Sequence, residues 1–137
     1  MKLNPDCIRA ILLTVEDACS MERTIILPQD RGDYLKPYFD DEILYHVRQC
    51  NLSGLLYKAT AVSGAGKTNY IIMDLSPAGH AFLANVRKDT IWNNTKSIAA
   101  KIGSKSLDAL IQISSNVISD LIKAQFSSPF NPSSPNM

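Results

Sequence analysis

Two β-prone runs, residues 55–62 and 69–75, face each other across a short polar stretch, with a helix signal against each outer end. Nothing else in the 137 residues limits the fold as tightly. Gly54 suits the left-handed position just past a helix. Ser76 and Pro77 suit the cap and first position of another. The stretch between the runs, Ser63-Gly64-Ala65-Gly66-Lys67-Thr68, is the loop of an antiparallel hairpin. The middle of the chain therefore reads helix, hairpin, helix.

The flanks add helices. Asn4 is a cap, Pro5 a first helical residue and Asp6 an anion at the favourable end of the helix dipole. Ile8, Ile11, Leu12, Val15 and Cys19 then share one face, which predicts a helix over residues 5–19. Residues 24–27 read as a short strand stopped by Pro28, residues 29–33 as a loop, and Pro37 limits residues 34–38 to one turn. The next helix is capped by Asp40 or Asp41 and buries Ile43, Val47 and Cys50. After the hairpin, Phe82, Leu83 and Val86 form a buried stripe, and the helical pattern resumes through Ile91, Thr95, Ile98 and Ile102 until Gly103. A last helix starts at Ser104 or Ser106 and carries a wide apolar face from Leu107 to Ile122. Residues 127–137 hold four Ser, three Pro and two Asn, a composition that predicts a disordered tail.

Residues 41–56, from Asp41 through His46 to Gly54-Leu55-Leu56, resemble the recognition helix and start of the wing in winged-helix proteins. Residues 74–83, with Ser76-Pro77-Ala78-Gly79 at their centre, are similar to the return from wing to helix in that fold. The middle helix of the usual trihelical motif is weak here, because Pro28, Gly32 and Pro37 break its place. Taken whole, residues 1–9, 42–56, 79–87 and 101–104 resemble a small family of bacterial and prophage proteins that share a domain of unassigned function. That resemblance covers about the first 125 residues. It implies a winged-helix-like fold and a phage or mobile-element setting, and it brings no catalytic residues. The expected architecture is α+β: a winged-helix-like domain over residues 1–88, a C-terminal helical extension over 89–126 that packs on it or dimerises, and the tail.

Composition bounds the function. Fourteen Lys and Arg against thirteen Asp and Glu leave a net charge of +1, which excludes a polycation held on nucleic acid mainly by counterion release. Cys7, Cys19 and Cys50 are odd in number and widely spaced, so reduced thiols fit better than a disulfide framework or a zinc site. The apolar runs fall far short of the roughly 20 residues of a membrane span. The first residues lack a secretory apolar core, so the expected location is the cytoplasm. Two histidines without a placed carboxylate or Cys pair make no metal or catalytic set, and no enzyme, cofactor or metal is expected.

Gly64-Ala65-Gly66-Lys67-Thr68 imitates the end of a phosphate-binding loop. The first glycine of that motif would fall at position 61, which is Ala61, and a strand pattern follows instead of a helix. A hairpin tip is the better reading, with Lys67 free to touch a phosphate. Tyr45, Arg48, Gln49 and Leu52 project opposite Ile43, Val47 and Cys50. Arg and Gln there can meet guanine and adenine edges in a major groove, with Lys58 and Lys67 adding backbone contacts. The acidic start Asp40-Asp41-Glu42 opposes this, and Leu52 favours a protein partner. Arg87, Lys88, Lys96, Lys101 and Lys105, against Asp89 alone, form a second basic stretch. On the last helix, Leu110, Val117 and Leu121 are spaced for a twofold homodimer seam. Two functions follow as expectations. One is a DNA-binding regulator that contacts double-stranded DNA through Tyr45, Arg48, Gln49, Lys58 and Lys67. The other is an adaptor or inhibitor that binds a host protein on the same scaffold.

Overall fold

The structure, a computed structural model, describes residues 1–127. α1 (Pro5–Ala18) starts as expected: the Asn4 side chain accepts the Asp6 N–H at 3.1 Å, and Pro5 needs no partner for its nitrogen. β1 (Ile25–Leu27) follows, and residues 28–38 form turns without a helix, in keeping with their prolines and glycine. α2 (Asp40–Leu52) differs from expectation at its start. Phe39 is the N-cap and gives no side-chain bond, while Asp40 is the first helical residue and pairs with Arg31. Three acids in the first turn still complement the dipole there.

β2 (Leu56–Gly64) and β3 (Lys67–Leu75) form the hairpin. With β1 they make a three-stranded antiparallel sheet in the order β1-β3-β2. The hairpin is tighter than the sequence predicts. Gly64 pairs with Lys67, so the turn is Ala65-Gly66 alone, with φ of +52° and +74°. Two positive φ values match the right-handed twist of the strands, and Ser63 and Thr68 add a cross-strand hydroxyl contact at 3.2 Å that carries the ladder to the tip.

α3 (Pro77–Val86) is capped by Ser76, whose Oγ accepts the Gly79 N–H at 3.0 Å. α4 (Asp89–Ile102) ends at Gly103 in the left-handed conformation, and α5 (Leu107–Ser127) completes the described residues. Ser127, read from sequence as the first residue of the tail, closes α5; the rest of that expected tail lies outside the described residues.

One apolar cluster joins α1, the inner side of α2, the sheet and α3 to Trp92, Ala99, Leu107, Leu110, Ile113 and Val117. Polar ties fasten the C-terminal helices to α1. Arg9 donates to the Val86 carbonyl at 2.9 Å and pairs with Asp89 at 3.0 Å. Asp6 accepts from Trp92 at 2.9 Å and from Lys96 at 2.8 Å. Glu16 takes Arg87 through both oxygens, at 2.9 and 2.6 Å. This arrangement of five helices and a three-stranded sheet is compatible with a winged-helix-like architecture.

The burial corrects the predicted dimer seam. Leu110 is fully buried and Val117 nearly so, because both complete the protein's own core; of the three seam residues only Leu121 is exposed. α5 has 21 residues against 14 in α4, an excess of seven or roughly 10 Å. Residues 119–127 are accordingly exposed on all sides, among them Leu121, Ile122 and Phe126.

Candidate nucleic-acid interface

α2 buries Ile43, His46, Val47 and Cys50. At 100° per residue this turns Asp41, Tyr45, Arg48 and Leu52 outward, and Arg48 and Leu52 are exposed. The outward groups are ordered from beneath. His46 is fully buried, its Nε2 accepts the Asn4 N–H at 2.7 Å, and its Nδ1 donates to the Glu42 carbonyl at 2.7 Å. An acceptor at Nε2 places the proton on Nδ1. Tyr45 stands edge-on to this ring, centroids 5.1 Å apart at 79°. The Arg48 guanidinium carbon lies 5.7 Å from the Tyr45 centroid.

The hairpin faces α2 across a trough. A cleft of about 540 Å³ lies between residues 28–31, the first turns of α2 and residues 66–69 of the hairpin. A second, of about 360 Å³, is lined by Tyr45 and Arg48 of α2 against Thr68 and Tyr70 of β3. Both clefts include Asp41, Leu44 and Thr68, so they run together. Of the five residues predicted for DNA contact, Tyr45, Arg48 and Lys67 therefore border one concavity.

Gln49 and Lys58 do not. Gln49 is half-buried on the flank of α2 and lines neither cleft. Lys58 sits in β2 at φ +49°, which interrupts the pairing opposite Met73, and its ammonium lies 5.4 Å from the Tyr57 ring. The trough also contains Arg31, which the sequence analysis passed over because a loop arginine has no periodicity to mark it. Arg31 donates to the Tyr38 carbonyl at 2.6 Å and pairs with Asp40.

These contacts change the electrostatic picture. Asp40 is taken by Arg31, and Glu42 accepts the Asn4 side-chain amide at 3.4 Å. Asp41 is the remaining acid of the first turn, set between Arg48 and Lys67 in the trough. The second basic stretch is weaker than its sequence implies. Arg87 and Lys96 are engaged by Glu16 and Asp6, which leaves Lys88, Lys101 and Lys105 without an ion pair among the described residues.

Burial disfavours the thiolate form at all three cysteines. Burial, then the Glu42 charge, pushes Cys7 up to about 12; burial also raises Cys50 and Cys19. Among the described residues no group of three His, Cys, Asp or Glu could hold a metal ion, and no helix is long and apolar enough to cross a membrane. Gly66-Lys67-Thr68 occupies the hairpin turn and the start of β3, so its amides open no helix.

The chain is 33% identical over 123 residues to a protein of Haemophilus influenzae (strain ATCC 51907 / DSM 11121 / KW20 / Rd) described as an uncharacterized protein. The match covers 89% of this chain and 99% of that one. No solved structure matches. Residues 2–105, from the start of α1 through α4, match the family described as hypothetical protein (DUF2513). The helix, hairpin and trough described above thus lie within the matched segment, and the chain belongs to the DUF2513 family.

Proposed function

We propose that the protein is a small non-catalytic, winged-helix-like module that binds double-stranded DNA in the cytoplasm, as a regulator of the prophage or mobile-element type. α2 enters the major groove and the hairpin rests on the flanking backbone. The observation that carries this reading is the outer half of the hairpin. Residues 60–68 are exposed on both faces, yet they are held as a regular ladder beside the Tyr45–Arg48 stripe. Ordering backbone costs about 1–2 kcal/mol per residue, and this ribbon buries no apolar side chain in return. A projecting arm beside an outward Arg-Tyr helix face is suited to a ligand rather than to a core.

The near-neutral charge sets the expected strength. With two or three phosphates neutralised, raising salt from 50 to 200 mM weakens binding about 10- to 40-fold. Fluorescence anisotropy with 20-base-pair genomic duplexes at those two concentrations tests this. Binding with that salt response, lost on the double change Arg48→Ala and Lys67→Ala, supports the reading, and no binding at 50 mM ends it.

A second reading, a host-protein adaptor, is favoured by Leu52, 76% exposed at the far end of the same stripe. Capture of one host protein that is lost on Leu52→Asp, with no duplex binding, would put it first. Pairing of two copies belongs to the DNA reading, because modules of this kind commonly read two half-sites. Leu121 is kept for that contact and joined by Ile122 and Phe126 on the projecting end of α5, whose charged residues Asp120 and Lys123 lie on the opposite side of the helix. Sedimentation velocity is expected to show a dimer that Leu121→Asp dissociates; a monomer at every concentration removes this part.

A further inference from the structure

We infer that Arg48 reads a guanine edge in the bound duplex, that it is the only base-reading side chain of α2, and that Tyr45 is its positioning residue. The inference rests on the DNA reading above and adds which base is read and by what. A free arginine on a helix surface has many rotamers, and a base contact must freeze one of them. Here the freezing is largely done in advance. The Asn4 amide and the Glu42 carbonyl fix both ring nitrogens of buried His46. His46 sets the Tyr45 ring edge-on, and that ring lies 5.7 Å from the Arg48 guanidinium carbon. Fixed groups therefore run from α1 through the core to an exposed guanidinium in the trough.

The planar fork of Arg matches the O6 and N7 acceptors of guanine, which a lysine ammonium cannot engage in the same bidentate way. The other groups in reach lack this combination or are already engaged: Arg31, the second guanidinium of the trough, is held by Asp40 and the Tyr38 carbonyl. Gln49 is half-buried and outside the trough, and Lys67 is a point charge on the hairpin tip, suited to phosphate. Asp41, one turn from Tyr45 and lining both clefts, disfavours a close phosphate at that end and favours registers that put Arg48 deepest.

The test is selection from a 20-base-pair duplex pool with a randomised centre. Anisotropy titrations follow on the selected site and on its single-base variants, for the native protein, Arg48→Lys, Tyr45→Phe and Tyr45→Ala. One guanine whose replacement weakens native binding about 5- to 150-fold is expected. Arg48→Lys should keep the salt dependence and lose that discrimination. Tyr45→Phe should keep the discrimination, and Tyr45→Ala should lose it with the salt slope unchanged, a separation that a merely structural role for Tyr45 would not give. Thermal melts confirm that the variants fold. Binding without a guanine-dependent position, or with one retained in Arg48→Lys, overturns the inference and leaves the DNA reading standing. Failure to bind any duplex at 50 mM salt overturns both.

Discussion

At the scale of single residues, Gly79 is the glycine with least room for a side chain. A Cβ there would lie 2.0 Å from the Leu55 carbonyl oxygen and 3.3 Å from the Leu75 Cβ. Alanine ordinarily gains about 1 kcal/mol over glycine inside a helix. Here the gain is outweighed, because α3 must move away from the Leu55 carbonyl, which lies between α2 and β2, before the methyl fits, an overpacking that costs about 3 kcal/mol. Gly79→Ala is expected to lower the melting temperature by several degrees; a rise would show that the joint yields easily. His46 is the polar counterpart. In His46→Leu the Asn4 N–H loses its acceptor, and a stability loss of about 1–3 kcal/mol in urea unfolding is expected. A change within 0.5 kcal/mol, roughly the scatter of a neutral surface substitution, would mean that the amide finds another partner.

At the scale of elements, the tie between α1 and α4 gives a pH signature. Burial on its own would raise the Asp6 carboxyl, but the hydrogen bonds from Lys96 and Trp92 and the charges of Lys96 and Arg9 prevail, and its pKa falls below the ordinary 3.8. The bonds from Arg87 likewise lower Glu16 from 4.5. A depressed carboxyl stabilises the fold fully above its unfolded pKa and loses that contribution as pH drops through the folded value. Melting temperature should therefore hold from pH 7 to about 5 as far as these two groups control it, and fall below pH 4. Asp6→Asn should be less stable than native at pH 7 by at most about 1 kcal/mol, as for other partly exposed pairs. The gap should narrow as pH falls below 4, and an equal gap at pH 7 and in acid would refute the assignment.

Much of this level was legible beforehand. Caps at Asn4 and Ser76, stops at Gly54 and Gly103 and the apolar stripes located every long helix, because each is a local signal. The trough was half legible: helical phase turned Tyr45 and Arg48 outward, but it could not say which of Gln49, Lys58 and Lys67 shares their side. That depends on how the hairpin leans over α2, and Arg31 reaches the trough through a loop. The seam on α5 was misread for a related reason. Heptad spacing marks a buried stripe without saying whether α3 and α4 or a second copy buries it, and Leu110 and Val117 belong to the core.

For the whole molecule, the body and the arm differ in what holds them. The body is one apolar cluster with residues from α1 through α5, and the Trp92 N–H bond to Asp6 adds a polar tie from α4 to α1. The arm is held at its root. Ser76 donates its N–H to the Leu55 carbonyl at 3.0 Å and its hydroxyl to the Gly54 carbonyl at 2.5 Å. Both chain ends of the hairpin are thus clasped before any cross-strand pair beyond Leu56 and Leu75 is counted. Length beyond that clasp is decoupled from folding. Excising the two facing pairs Val62/Asn69 and Ser63/Thr68 keeps the side-chain alternation and retracts Lys67 by roughly 7 Å. The melting temperature should change by only a few degrees while duplex binding is lost; collapse of the fold would show the arm to be structural. Relatives can on this account trade one finger for another, longer or shorter, and alter what is grasped while leaving the palm as it was.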